Sequence, residues 1–243
     1  MVSKSQIKLI TSLSQKKYRV QHQLFVAEGV KTIQELLNSS FELFLLFTTK
    51  PFNSDAKTEI LITEKELQKI SFQKSPNQAL AVFKIPEPKP VPNDGLILAL
   101  DSIRDPGNLG TIIRLCDWFG VTDLVCSETT TDCYNPKVVQ ASMGSLARVN
   151  LHYLHLENFI KEAKMPVYGA FMEGENVYQS RLPERAILVM GNEANGITNA
   201  LQAVIPHKIT IPRFGAIQAT ESLNVATAAA VLLSEFKRST TGR

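Results

Sequence analysis

The sequence predicts an α/β protein in which a mostly parallel sheet, covered by helices on both faces, follows a smaller α/β module. Three observations carry this. Beyond residue 94, short apolar runs alternate with helix-length stretches. Those runs are apolar throughout instead of alternating with polar residues, as strands buried on both faces are. Between Ile85 and Asn93, prolines 86, 88, 90 and 92 remove backbone donors and favour extended geometry, which marks a linker. The expected organisation is a first module over residues 1–84, a proline-rich linker over 85–93 and a main domain over 94–243.

In the first module, apolar residues from Ile7 to Leu37 recur at helical intervals, interrupted by a short strand at Phe25 to Gly29. Strands are expected at Phe41 to Thr48 and Ala79 to Lys84, around a polar helix at Glu64 to Ile70. In the main domain the expected order is strand Leu96 to Leu100, helix Leu109 to Phe119, strand Leu124 to Ser127 and a helix around Lys137 to Leu146. Strands near Val149 to Tyr153, Val167 to Phe171, Ala186 to Met190 and Lys208 to Ile211 follow, and a helix from about Leu223 to Lys237 closes the chain. No internal repeat or low-complexity segment is present.

With 44% apolar and 20% charged residues in a chain of 243, the composition is that of an ordinary soluble globular protein. The start, Met1 to Gln6, is polar and no early apolar run follows, so neither a signal peptide nor a membrane span is expected and a cytoplasmic location is. Three cysteines (Cys116, Cys126, Cys133) match no zinc or redox spacing, which favours packing roles in a reducing compartment without a metal. The net charge of +3 is unevenly spread: residues 1–90 hold 13 basic and 8 acidic side chains. All five charges before Glu28 are positive, namely Lys4, Lys8, Lys16, Lys17 and Arg19. Lys8, Lys16, Lys17 and Arg19 are candidate contacts for the phosphates of a nucleic acid, although a merely solvated helix face has the same pattern.

Ligands of open parallel sheets bind at loops after strand ends, and three such loops are unusually polar. The first runs from Asp101 through Asp105, Pro106, Gly107, Asn108, Leu109 and Gly110 to Arg114. The second runs from Met190 through Gly191, Asn192 and Glu193 to Gly196 and Ile197. It carries neither the dinucleotide fingerprint nor the phosphate-loop lysine, which argues against a nucleotide-dependent oxidoreductase or an ATPase. The third runs from Ile211, Pro212 and Arg213 to Ser222, Leu223, Asn224 and Val225 at the start of an apolar helix. Ser222 alone reads as a helix cap. A helix apolar all round is expected to be buried, placing its polar start deep, where a ligand can satisfy it.

In order and wording these segments resemble the three motifs of the SpoU (TrmH-like) branch of the SPOUT RNA 2′-O-methyltransferases, from about Gly95 to Glu235. The first 84 residues resemble the family's substrate-binding module, notably at Lys17 to Arg19 and Phe25 to Gly29. The resemblance implies a C-terminal trefoil knot, a homodimer that buries the knot-region helices, S-adenosylmethionine as cofactor, and rRNA or tRNA as substrate. By the same resemblance Arg114 is the central catalytic residue, assisted by Asn108, Glu193, Ser222 and Asn224. Main-chain groups at Gly191, Ile211 and Leu223 would hold the cofactor, with Gly169, Met190 and Gly196 as further contacts. The chain departs from the family in a longer stretch between Ile211 and Ser222, with Arg213 where many members have methionine.

A sulfonium supplies its own electrophile, so methyl transfer to a ribose hydroxyl needs positioning, loss of one proton and exclusion of water, and no metal. Two roles stay open for Arg114: taking the proton, or stabilising the developing alkoxide and anchoring phosphate. The competing reading is a non-catalytic RNA-binding module that keeps the fold. It predicts damaged motifs, whereas the arginine, glutamate, serine and asparagine positions are all filled.

Overall fold

A computed structural model of the chain describes residues 1–52, 59–215 and 222–241. Contacts divide it into two compact units: Met1–Pro88 with Asp132–Arg148, and Lys89–Thr131 with Val149–Arg243.

The first unit begins with α1 (Lys4–Ser12) and α2 (Lys16–His22). A reciprocal Ser3–Gln6 capping box starts α1, satisfying donors that a free helix end leaves open. There follow β1 (Leu24–Glu28), α3 (Val30–Leu37), β2 (Leu43–Thr48), β3 (Glu59–Leu61), α4 (Glu64–Ile70) and β4 (Ala79–Lys84). The four strands pair in the order β1-β4-β2-β3, antiparallel except for β2 with β3. Phe25, Phe47 and Phe83 are fully buried; each such side chain stabilises the fold by roughly 1.5–3 kcal/mol. The short strand β3 has no apolar run to announce it and was not expected.

Asp132–Arg148 lies inside the sequence of the main domain, yet its contacts are with the first unit. The Tyr134 ring packs on Phe25 at 4.8 Å between centroids, and Asp132 pairs with Arg19. The helix expected around Lys137 to Leu146 is α6 (Pro136–Ser142), preceded by α5 of the second unit and ended early by Met143 in the left-handed region. Gly144 follows with φ +92°, and a Cβ there would meet Glu35 Cγ at 2.7 Å, so only glycine fits before the 3-10 turn Ser145–Ala147.

In the second unit β5 (Leu96–Asp101), α5 (Pro106–Trp118), β6 (Asp123–Ser127) and β7 (Asn150–Leu154) lead to α7 (Leu156–Lys161) and β8 (Val167–Asn176). The chain continues through β9 (Ala186–Gly191), α8 (Asn199–Gln202), β10 (His207–Thr210) and α9 (Val225–Thr241). All six strands are parallel, in the order β10-β8-β9-β5-β6-β7. The chain lays β5, β6 and β7 outward in one direction, crosses back to β8, and then inserts β9 between β8 and β5. The strand order therefore reverses beside β5, where the loops after β5 and β9 lie next to each other.

One core cluster includes Ile97, Val125, Ile187 and Val189 of the strands with Ile160 of α7 and Leu201 of α8. Helices α5 and α9 contact each other, and Ile113 and Cys116 of α5 and Leu233 and Phe236 of α9 are all buried. His152, buried in β7, sets one ring nitrogen 2.8 Å from Asp123 Oδ1 and the other 3.1 Å from the Lys89 carbonyl, fastening the end of the proline-rich segment to the sheet. All three cysteines are buried and form no disulfide.

Further elements of the second unit differ from expectation. Strand β8 runs on to Asn176, past the expected end at Phe171, because β10 pairs with it as far as Thr210↔Asn176. Backbone pairing at a sheet edge does not require the apolar residues that announce a strand. The short helices α7 and α8 carry too few turns for a periodic signal. Among the described residues no helix is long and apolar enough to cross a membrane.

Candidate active site

The site is built from the loops that follow β5, β9 and β10, all in the second unit. After β5, Asp105 caps α5 by accepting the Asn108 N–H at 2.7 Å, and Pro106 occupies the first turn, where no donor is needed. This holds the Asn108 side chain at the start of the helix. Its Nδ2 donates to Glu193 Oε1 of the β9 loop, and its Oδ1 accepts from Asn224 Nδ2 at 3.0 Å. Asn224 in turn caps α9, its Oδ1 accepting the N–H groups of Ala226 (2.9 Å) and Thr227 (3.2 Å). Asn224 is thus the cap, in the place where Ser222 was considered. Three residues far apart in sequence form one polar chain.

The β9 loop is a tight, closed turn. Asn192 and Gly196 exchange backbone hydrogen bonds, Asn192 N–H to Gly196 O at 3.2 Å and Gly196 N–H to Asn192 O at 2.9 Å. The Asn192 side chain accepts from the N–H groups of Ala194 (3.0 Å) and Asn195 (2.8 Å). A Cβ on Gly191 would lie 2.0 Å from the Gly196 carbonyl carbon, so this position admits only glycine. Gly196 itself sits at φ +64°.

A cavity of about 890 Å³ opens beside this turn, within the range that holds drug-sized or cofactor-sized ligands. Met190, Gly191, Glu193, Gly196, Ile211, Ser222 and Leu223, all singled out in the sequence, line it. Its size, its backbone-lined wall at Gly191 and Gly196, and its apolar residues Ile211 and Leu223 suit S-adenosylmethionine, whose adenosine and methionine parts offer both polar edges and apolar faces.

Other expectations are corrected. Gly169 is buried within β8, paired with Val189 and Lys208, and does not line the cavity. Its missing side chain makes room for the Phe171 ring, which a Cβ would approach to 2.4 Å. The entry to α9 is not deep in the chain: Ser222, Leu223 and Asn224 are all exposed, Leu223 at 48%. Arg114 is exposed on α5, lines no part of the cavity, and has no hydrogen bond or ion pair among the described residues. Residues 216–221, which complete the longer third loop, lie outside the described residues.

In the first unit Lys8, Lys16 and Lys17 are exposed, whereas Arg19 is only 2% exposed. Its guanidinium bonds Asp132 Oδ2 and the carbonyls of Leu13 (2.8 Å) and Ser14 (2.9 Å). Arg19 is therefore a structural anchor and not a free phosphate contact. The sequence placed no acid beside it before Glu28; its partner comes from 113 positions later.

The structure also adds Asp101, 3% exposed at the end of β5. Its Oδ2 accepts the Thr198 N–H at 2.7 Å and its Oδ1 accepts the Ser102 hydroxyl at 3.0 Å, which ties the end of β5 to the segment after the β9 loop. A carboxylate ending an apolar strand is the signal that would have found it, since a buried charge must have partners.

Comparison with known proteins agrees with this geometry. Residues 95–234 match the model of the SpoU rRNA Methylase family, and residues 4–81 match an MRM3-like substrate binding domain. The 23S rRNA (guanosine(2553)-2′-O)-methyltransferase RlmP of Bacillus subtilis (strain 168) is 31% identical over 235 residues, covering 93% of each chain. A putative RNA methyltransferase of the TrmH family from Porphyromonas gingivalis superposes with a TM-score of 0.91 at 39% identity, over 98% of this chain and 99% of that one. An AdoMet-bound rRNA methyltransferase from Sinorhizobium meliloti does so with a TM-score of 0.87 at 27% identity, over 98% and 97%. The chain belongs to the SpoU rRNA methylase family.

Proposed function

We propose that this protein transfers the methyl group of S-adenosylmethionine to a ribose 2′-hydroxyl of ribosomal RNA. The observation that carries the reading is the polar chain Asn224–Asn108–Glu193 joining all three motif loops beside a cofactor-sized cavity. The similarity of the chain to RlmP, a 23S rRNA 2′-O-methyltransferase, favours ribosomal over transfer RNA. The bacterial relative RlmP supports a cytoplasmic site of action.

The cofactor supplies an electrophilic methyl group when bound, and the residues of the chain supply position and charge. Gly191, Ile211 and Leu223 would hold it through their main chain, with Met190 and Gly196 completing the wall, and Ser222 and Glu193 face the same cavity. Asn108, itself held by a hydrogen bond from Asn224, fixes the orientation of Glu193. The ribose oxygen gains negative charge as its proton leaves, and a guanidinium, charged at neutral pH, would stabilise it.

Arg114 does not line the cavity of its own chain. On α5 it shares an exposed stripe with Gly107, Thr111 and Trp118, the last 83% exposed, which is an unusual position for so large an apolar ring. A homodimer that covers this stripe would bury Trp118 and bring Arg114 to the partner's cavity. The reversal of strand order and the closing helix fit a trefoil-knotted C-terminal segment, as in the SPOUT fold. Along the sequence the chain then reads as a substrate-binding module over residues 1–84, a linker over 85–93 and a methyltransferase domain over 94–243 whose segment Asp132–Arg148 packs in the first unit. Lys8, Lys16 and Lys17 remain the candidates for the RNA backbone.

The test is a map of 2′-O-methyl marks across total RNA from cells with and without the protein. A single ribosomal mark should vanish and return on complementation with the parental chain. Identical maps would refute the assignment.

A further inference from the structure

We propose that the N-terminal unit contains a pocket that takes up one unpaired nucleobase of the RNA, separate from the cofactor cavity. The inference rests on the RNA substrate assigned above and specifies how part of that RNA is read. The pocket, about 280 Å³, lies within the first unit, between the end of β2, the first turns of α4 and the turn that enters β4. Lys50, Glu64, Gln68, Asn77 and Gln78 line it around Leu67, which is 2% exposed and forms an apolar floor.

The chemistry of the lining selects the occupant. The side chains of Lys50, Glu64, Gln68, Asn77 and Gln78 make no hydrogen bond or ion pair among the described residues, so their full bonding capacity is available. Three of them are amides, each presenting a donor and an acceptor side by side, which is the pattern that matches a base edge. Glu64 disfavours a bare phosphate, Lys50 disfavours a metal ion, and the density of polar groups disfavours an apolar peptide side chain. Sequence-specific RNA recognition targets such splayed, unpaired bases.

A second observation is independent of the lining. Gln78 is held at φ +54°, in the left-handed region that non-glycine residues avoid, while the Thr49 N–H donates to its carbonyl at 2.9 Å. Glycine would be relaxed there, and a glutamine at this turn fits a use for its side chain.

The experiment uses the full chain with S-adenosylhomocysteine saturating the cofactor cavity, so that nucleotides cannot bind there. Each of the four nucleoside 5′-monophosphates is titrated to millimolar concentration while backbone amide resonances are followed by NMR. Gln68, Asn77, Gln78 and Ala79 should shift, and one base should act at several-fold lower concentration than the others. Asn77→Ala should weaken that binding about ten-fold, near the lower end of what one bidentate amide–base pair supplies. Gln78→Gly relieves the backbone strain, so it should unfold no earlier than the parent and yet lose nucleotide binding. With ribosomal RNA from cells lacking the protein, both variants should raise KM for RNA and leave kcat and cofactor affinity unchanged. No shift at these amides, or parental binding by both variants, overturns the proposal. If the parental chain methylates no RNA, the assigned function fails, and the nucleotide titration still decides the pocket.

Discussion

Arg114 and Arg19 carry the same charge and have opposite fates. Arg114 is exposed on α5 without a partner among the described residues, so its replacement should leave the fold intact. Arg114→Ala is expected to keep the parental unfolding midpoint and cofactor affinity and to lose single-turnover methyl transfer. Arg114→Lys keeps the charge but not the planar fork; partial activity would mark an electrostatic role, and complete loss a bidentate or proton-accepting one. A parental rate in Arg114→Ala would remove Arg114 from the reaction. Arg19 is buried against Asp132 and two carbonyls. Arg19→Ala should destabilise the protein by about 3 kcal/mol in urea unfolding, because it strands a largely buried carboxylate and two carbonyl acceptors. A change within a few tenths of a kcal/mol would show that the pair contributes no net stability.

Among the elements, α4 shows how a cap responds to pH. The Glu66 carboxylate accepts from the Thr63 N–H (2.9 Å), the Thr63 hydroxyl (2.9 Å) and the Val2 N–H (3.0 Å). These bonds, that from the Thr63 backbone first, hold its pKa down at about 2, against 4.5 ordinarily. A carboxyl with a lowered folded-state pKa contributes stability that is full above about pH 4.5 and fades as the pH falls towards 2. Glu66→Gln should therefore flatten the loss of thermal midpoint over that interval; an unchanged profile would show that the cap has no linkage to folding. Helix α4 spans the residues expected of it in the sequence, Glu64–Ile70. Strand β4 was also legible to the residue, since Ala79 to Phe83 are uniformly buried. The extension of β8 was not, because Met172 to Asn176 are held by pairing with β10 and not by burial.

At the scale of the whole molecule, the exposed Trp118 and the unpartnered Arg114 predict a homodimer. Light scattering at micromolar concentration should give twice the 27.0 kDa chain mass, and Trp118→Glu should give monomers that bind cofactor but do not methylate. A parental chain that scatters as a monomer would remove the basis for a shared site. The parallel sheet and all three motif loops were legible in the sequence because each is local: apolar runs and turn residues at fixed spacing announce themselves within a few positions. Gly191, Ile211 and Leu223, which the family resemblance singled out, all line the cavity. What the sequence could not contain were meetings between distant segments. Asn108 reaches Glu193 and Asn224 only through the reversed strand order, and Arg19 is neutralised by an aspartate 113 positions away. Which charges end buried and which polar groups end joined depends on crossovers that bring far residues together, and local residue patterns carry no record of them.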